Sequence, residues 1–286
     1  MSEPKRLEIH SHTTVSDGSH SPAELAELMA EHGVDLWALT DHDTVGGCRA
    51  GYRAATDAGV EFLPGIEISA SRDGTSIHVL GYGFDPETPQ LQDYGEEMEQ
   101  ARRDRMEKMV DRMCELGFPV DFDDVVAASG GGNLCRPHLA RALKNRGHVD
   151  TMQEAFDRWI DRDGPGYVPM ARPSVAEAIE MIGDAGGIVV LAHPARYGDI
   201  TGALEGWKEA GLWGLEVRHP SHGVEDEERL SRWADEFDLG KTASNDWHGN
   251  DPDDVRRLGE VVFPNRWRRA FLEVVDEESV VGRGGW

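Results

Sequence analysis

Histidines and carboxylates recur along this chain in short, separated groups: His10-Ser11-His12, Asp17-Gly18, Asp41-His42-Asp43, Glu67, His78, His193 and Asp246-Trp247-His248. Imidazole and carboxylate without thiolate form a donor set for Mn, Fe or Zn, whereas calcium prefers an all-oxygen cage. His10 and His12 stand two apart, so on an extended segment both rings project to one side and Ser11 to the other. Asp246 and His248 share that spacing. Each group alone has a plainer reading. A single His-x-His pair can be two hydrogen-bonded histidines, and Asp43 suits the N-cap of a helix starting near Val45. Glu67 lies between Ile66 and Ile68, and His78 between Ile77 and Val79, so each could be the solvent-facing member of an alternating strand. The series is harder to dismiss, because ionisable residues just past buried strands are costly to enclose without partners.

The elements that must position these groups alternate. Leu7-Glu8-Ile9 reads as a strand, and Ser21-Pro22-Ala23-Glu24 as a capping box opening a helix that Gly33 ends. A strand at Asp35 to Thr40, a helix from Val45 to Ala58, and strands near Val60 to Leu63, Ile66 to Ser69 and Ile77 to Leu80 follow, the last two joined by an Asp73-Gly74 turn. Residues 86–167 read as helices only, an inserted helical subdomain. Alternation resumes with a capping box at Ser174-Val175-Ala176-Glu177 and strands at Ile188 to Ala192, Leu215 to Val217, Leu239 to Ala243 and Val261 to Phe263. This divides the chain into an α/β core, 1–85 with 168–286, and an insert, 86–167. Except for His78, which falls within its strand, the polar groups sit at or just past C-terminal strand ends, where barrels assemble their sites. No Gly-x-Gly-x-x-Gly follows the first strand, so a dinucleotide-binding sheet is disfavoured.

Composition excludes several classes. Of 286 residues, 54 are acidic and 29 basic, a formal charge of −25 that repels nucleic-acid backbones and argues against extended double-stranded partners. The excess of acid runs along the whole chain and only five basic residues are lysine, which raises the expectation of a halophilic, high-salt cytoplasm where self-repulsion is screened. No apolar run approaches the ~18–20 residues of a membrane span, and the start shows no signal-peptide pattern. Cys48, Cys114 and Cys135 form no disulfide framework, which fits a cytoplasmic location.

Taken together, His10-x-His12, Asp17-Gly18, Thr40-Asp41-His42-Asp43, Gly65-x-Glu67, His78, His193-Pro194 and Asp246-x-His248 resemble the motifs of the PHP (polymerase and histidinol phosphatase) domain family. Arg136-Pro137-His138, Gly164-Pro165-Gly166-Tyr167-Val168 and His193-Pro194-Ala195-Arg196-Tyr197 are similar to its nucleotide-phosphatase and 5′-3′ exoribonuclease branch. The resemblance implies a distorted (β/α)7 barrel with three divalent ions, foremost Mn2+, with Fe2+ and Zn2+ as the other candidates. It implies one ion on His10, His12, Glu67 and Asp246, a second on Asp17, His42 and His248, and a third on Glu67, His78 and His193. Catalysis would use a hydroxide bridging two of these ions, with Asp246 essential.

Phosphate recognition calls for arginine, whose planar fork matches phosphate oxygens. Arg102 and Arg105 share a face of the long insert helix, and similar sequences carry an Arg-x-x-Arg pair there. They are the expected ligands of a second phosphate, with Arg136 and His138 closing the pocket, His138 also a donor to the leaving oxygen, and His222 a further contact. His32 reads as a helix-end residue, His20, His148 and His219 as polar surroundings without a partner, and Trp37 and Trp213 as core. With no Gly-x-Ser-x-Gly elbow and no P-loop, the leading expectation is hydrolysis of a terminal phosphate from a small 3′,5′-bisphosphorylated nucleotide, or trimming of short RNA from its 5′ end. Histidinol-phosphate phosphatase is the second enzymatic reading, and a non-catalytic metal-dependent nucleotide-binding module is the reading from another class.

Overall fold

A computed structural model describes residues 5–249 and 258–275. Seven strands form one sheet in sequence order: β1 (Leu7–Glu8), β2 (Leu36–Leu39), β3 (Glu61–Arg72), β4 (Thr75–Tyr82), β5 (Ile188–Leu191), β6 (Leu212–Arg218) and β7 (Gly240–Ala243). The pairs β1–β2, β2–β3, β5–β6 and β6–β7 are parallel, as helical crossovers require, while β4 is antiparallel to both neighbours. That reversal follows from the β3–β4 hairpin, whose turn places Asp73 at φ 50° and Gly74 at φ 75°. It also explains His78: because β4 runs backwards, the beginning of the strand faces the mouth.

The sheet curls until its two edges meet. Ser11, after β1, bridges Trp247, after β7, through His12 N–H to Trp247 O (2.8 Å) and Trp247 N–H to His10 O (3.1 Å). Beneath this seam the buried Glu8 carboxylate accepts from the Ser244 hydroxyl, the Asn245 backbone (3.1 Å) and the Asn245 side chain. The first and last groups of site residues are thereby joined across more than two hundred residues of chain. This is the expected distorted barrel.

Helices α1 (Pro22–Glu31), α2 (Cys48–Ala58), α7 (Val175–Asp184), α8 (Thr201–Glu209) and α9 (Val224–Glu236) pack outside the sheet. Both predicted capping boxes form, at Ser21 with Glu24 and at Ser174 with Glu177. Trp37, Leu39, Phe62, Ile66 and Ile68 fill the layer between sheet and helices, while Leu7, Leu36, Ala38, Leu63, Leu80 and Tyr82 belong to a second apolar cluster closed by Phe271 of α10 (Asn265–Val274). Trp213 packs at this second cluster. Two expectations fail. Val261 to Phe263 is not a strand; Phe263 is buried beside Phe271 in the irregular segment that leads into α10. Val60 to Leu63 and Ile66 to Ser69 are one strand, whose partner changes from β2 to β4 at Pro64-Gly65.

Between β4 and β5 lie α3 (Pro89–Glu115), α4 (Phe122–Ser129), α5 (Arg136–Asn145) and α6 (Met152–Ala155), the last continued by a π turn, Phe156–Ile160. They enclose a core of their own around Met106, Met109, Met113, Leu139, Leu143 and Ile160. The 27-residue α3 serves both cores, with Leu91, Tyr94 and Met98 in the barrel cluster and Met106 onward in the insert. Asn133 ties the insert to the mouth, its N–H donating to Val15 O (2.9 Å) and its side chain to His42 O (3.1 Å). No helix among the described residues is long and apolar enough to cross a membrane.

Candidate metal centre

Eight of the nine predicted ligands fall into three groups whose donor atoms lie within 4.8 Å of one another: His10, His12, Glu67 and Asp246; His12, Asp17, His42 and His248; and His42, Glu67 and His78. The ninth, His193, puts Nε2 3.2 Å from Glu67 Oε1. In the first group His10 Nε2 stands 3.4 Å from Glu67 Oε2 and 3.3 Å from Asp246 Oδ1, and His12 Nε2 3.1 and 3.2 Å from the same oxygens. Four donors at tetrahedral corners, each ~2.1 Å from a cation, stand ~3.4 Å apart, so the spacing suits an ion at the centre.

Hydrogen bonding supports this fit. His10 Nε2, both nitrogens of His12, His42 Nδ1, Glu67 Oε2 and Asp246 Oδ1 are buried without a hydrogen-bond partner, an arrangement unfavourable unless a cation satisfies them. The opposite ring nitrogens are engaged. His10 Nδ1 meets Glu216 Oε1 (3.0 Å) and His248 Nδ1 meets the Asp246 carbonyl (2.9 Å), contacts that leave each Nε2 lone pair free. Burial would raise the carboxyls of Glu67 and Asp246, but surrounding imidazoles, His42 foremost for Glu67 and His10 for Asp246, hold both well below the ordinary range. Burial also pushes His42 down to about 3 and His193 down to about 4, whereas Asp246 and Glu67 overcome burial at His12 and lift it to about 10. A metal binding His12 at neutral pH must therefore displace a proton.

Backbone strain concentrates here. Asp43 (φ 54°), His193 (φ 30°) and Asp246 (φ 51°) occupy the left-handed region, at a cost of ~1–3 kcal/mol each. Each is clamped: Asp43 Oδ1 accepts Ser69 N–H (2.6 Å), His193 N–H donates to Glu216 Oε2 (2.7 Å), and Asp246 lies beside the Ser11–Trp247 bridge. Gly18 is required at its turn, since a Cβ there would stand 2.3 Å from His12 O.

Several expected roles change. Asp43 does not cap α2, whose N-cap is Gly47; it accepts from Tyr94 Oη (2.7 Å) and pairs with Arg102. Arg102 is thereby withdrawn as a phosphate ligand: Nε and one terminal nitrogen bind Asp43, that nitrogen also meets Ser69 Oγ (3.1 Å), and the other meets Cys135 Sγ (3.1 Å). Burial opposes ionisation of Asp43, yet Arg102 holds its carboxyl below the usual range. Arg102→Ala strands a buried carboxylate and is expected to cost ~3–5 kcal/mol of stability in urea unfolding; a substrate-binding arginine would instead raise KM at unchanged stability.

Sequence reasoning passed over His219, which is only 5% exposed. Ser221 N–H donates to its Nδ1 (3.0 Å), so the ring proton sits on Nε2, which donates to Asp246 Oδ2 (3.2 Å). That bond fixes Asp246 with Oδ1 toward the first donor group. Glutamine at 219 keeps a comparable donor and leucine does not. His219→Leu is expected to weaken metal affinity ~10- to 100-fold, and His219→Gln much less, by chelator competition. His20 and His148 also have partners, Ser19 Oγ (2.8 Å) and Pro119 O (2.7 Å). His222 lies behind His219, its Nδ1 against Val217 O (2.9 Å). Glu216 and Tyr197 were missed as well. Tyr197 Oη contacts His193 Nδ1 and accepts His78 N–H, both at 2.9 Å.

Arg105 and Arg136 converge with Arg172, which sequence reasoning did not single out. Arg105 donates through Nε to Val168 O (2.6 Å), yet one terminal nitrogen is buried without a partner. Burial, then the charges of Arg136 and Arg172, lower it to about 10. Arg105 and Arg136 both lie over the Tyr167 ring, 5.1 and 5.9 Å from its centroid, and Arg136 pairs with Asp161 (2.7 Å). Among the described residues neither Arg105 nor Arg172 has a carboxylate partner within ion-pair distance. His138 is buried with Nδ1 accepting Cys135 N–H (3.1 Å), and burial pushes it down to about 4. It therefore presents a neutral Nε2–H.

The PHP domain profile matches residues 7–162. A 5′-3′ exoribonuclease of Haemophilus influenzae is 33% identical over 249 residues, covering 85% of this chain and 90% of the relative. A 3′,5′-nucleoside bisphosphate phosphatase of Chromobacterium violaceum is 32% identical over 247 residues, 85% of this chain and 87% of the relative. A crystal structure described as a metal-dependent phosphoesterase of Bifidobacterium adolescentis superposes with a TM-score of 0.86 at 33% identity, over 94% of this chain and 96% of that one. The chain accordingly belongs to the PHP domain family, in the branch of the nucleotide phosphatases and 5′-3′ exoribonucleases, and is a metal-dependent phosphoesterase.

Proposed function

We propose that the chain hydrolyses the 3′-phosphate of a 3′,5′-bisphosphorylated nucleotide and, by the same chemistry, trims short RNA from its 5′ end. The observation that carries this reading is the pairing of two anion-binding places: the metal-ligand cluster, and a group of arginines in which Arg136 has Asp161 as partner while Arg105 and Arg172 have no carboxylate within ion-pair distance among the described residues. A substrate with two phosphates fills both. Histidinol phosphate would leave the arginines uncompensated, and a purely binding module has no need of so many buried, unsatisfied donors.

In this proposal three divalent ions, Mn2+ foremost, occupy the three donor groups, with Glu67 shared among them and His193 completing the third. Such cations, when bound, acidify water and neutralise phosphoryl oxygens. The chain's residues do the remainder. Asp246 holds its Oδ1 in place by way of His219, and Glu216 orients His10. The neutral His138 Nε2–H suits a hydrogen bond to a phosphoryl or leaving oxygen better than outright proton transfer, because burial disfavours its charged form. Arg105, Arg136 and Arg172 receive the 5′-phosphate, and residues 86–167 act as the cap that carries most of them. A high-salt cytoplasmic setting fits the free cysteines and the dispersed acidity.

The test is phosphate release by Mn2+-loaded protein from adenosine 3′,5′-bisphosphate, histidinol phosphate and 5′-phosphorylated RNA, in high salt. Preference for histidinol phosphate, or binding of the bisphosphate without turnover, would overturn the proposal.

A further inference from the structure

On the side of the mouth made by β5, β6 and β7, a cleft of about 390 Å³ opens directly against Asp246 and His248. Its other walls are Arg196, from the 3-10 turn Pro194–Tyr197, His219 and Ser221, from the loop after β6, and Asn245 with Trp247, after β7. None of Arg105, Arg136 and Arg172 lines it. Arg196 is exposed and has no ion-pair partner among the described residues, although acidic residues outnumber basic ones 54 to 29. The volume lies within the ~300–1,000 Å³ usual for small-ligand sites, and the exposed Arg196 guanidinium suits an occupant that carries an anionic group.

The reaction proposed above specifies what that occupant must be. Water attacks the phosphorus at the 3′ position of the first nucleotide, and the P–O3′ bond breaks. The attacking oxygen stays on phosphorus, one water proton goes to O3′, and the other stays on the released phosphate group or leaves as that group ionises. If the scissile phosphate is terminal, the product is inorganic phosphate and nothing extends beyond the metal cluster. If the phosphate is esterified to a following nucleotide, the same bond breaks, but the downstream chain must leave the cluster on the side away from the insert arginines.

We infer that this cleft is the subsite for the nucleotide following the scissile phosphate, with Arg196 engaging the next phosphodiester. The inference rests on the phosphoesterase reading of the metal centre given above. Each cut leaves a new 5′-phosphate on the shortened chain, which is again a substrate.

The experiment compares wild type, Arg196→Ala and Arg196→Lys, Mn2+-loaded, on adenosine 3′,5′-bisphosphate and on a 5′-phosphorylated pentaribonucleotide. Arg196→Ala is expected to lower kcat/KM for the pentanucleotide at least ~10-fold, mainly through KM, and to leave the bisphosphate within ~2-fold. Losing one phosphate contact should also flatten the dependence of log affinity on log salt by ~0.7 for the pentanucleotide. Arg196→Lys should recover part of the loss. An equal effect on both substrates, no effect on the pentanucleotide, or a wild type that cleaves the bisphosphate and not the pentanucleotide overturns the inference. A wild type that cuts the pentanucleotide in an Arg196-dependent way but spares the bisphosphate supports the cleft and counts against the mononucleotide activity alone.

Discussion

Asp246→Asn is expected to lower phosphate release by at least ~10³-fold, about 4 kcal/mol in activation free energy, while the protein keeps a cooperative melting transition. Asp246 Oδ1 faces the Nε2 atoms of both His10 and His12, and Oδ2 accepts from His219. Asparagine preserves the shape but removes the charge. Its amide nitrogen must then point either at the Nε2–H of His219, donor against donor, or into the space where the histidine lone pairs converge. Both placements spoil the cluster without emptying the core. Phosphate release and metal content measured on the same preparation check the prediction; near wild-type turnover with a full metal complement would remove Asp246 from the reaction.

Arg105→Ala is expected to reduce kcat/KM on a 3′,5′-bisphosphate about 30- to 150-fold, the effect of losing charge-assisted hydrogen bonds of about 2–3 kcal/mol, and to change monophosphate hydrolysis little. Its guanidinium is buried beside Arg136 and Arg172 with an unsatisfied nitrogen, so a dianionic phosphate gains there both fork geometry and relief of like-charge repulsion. Arg105→Lys keeps the charge and loses the fork, and should fall between the two. Equal losses on mono- and bisphosphate substrates would refute the assignment of a second phosphate to this pocket, because a general loosening around Val168, whose carbonyl Arg105 also binds, would act on both.

Much of this arrangement was legible before any coordinates. Motifs in which ligand spacing is local, such as His10-x-His12 and Asp246-x-His248, declare themselves because strand geometry alone puts both side chains together. The capping boxes at Ser21 and Ser174 are equally local. Less legible was whatever depends on partners distant in sequence. Glu216 meets His10 across 206 residues, and although Leu215-Glu216-Val217 repeats the pattern of Ile66-Glu67-Ile68, nothing nearby marks it as a support for a histidine. His219 looked solitary because its partner lies 27 residues ahead. Asp43 misled because a carboxylate before a helix usually caps it, and its left-handed backbone, which carries it away from α2 toward Arg102, leaves no trace in the sequence. Arg102 misled in turn: sharing a helix face with Arg105 does not imply sharing a task when one of them meets a buried anion.

The unbroken α3 has a mechanical consequence. One continuous helix rooted in both apolar cores, and pinned midway by Arg102 to the residue beside His42, sets Arg105 at a constant span from the cations' donors. In the proposed reaction that span works as a ruler: the enzyme would choose substrates by the separation between two phosphates, and an analogue with a longer or shorter spacer should bind at one end only and stay intact.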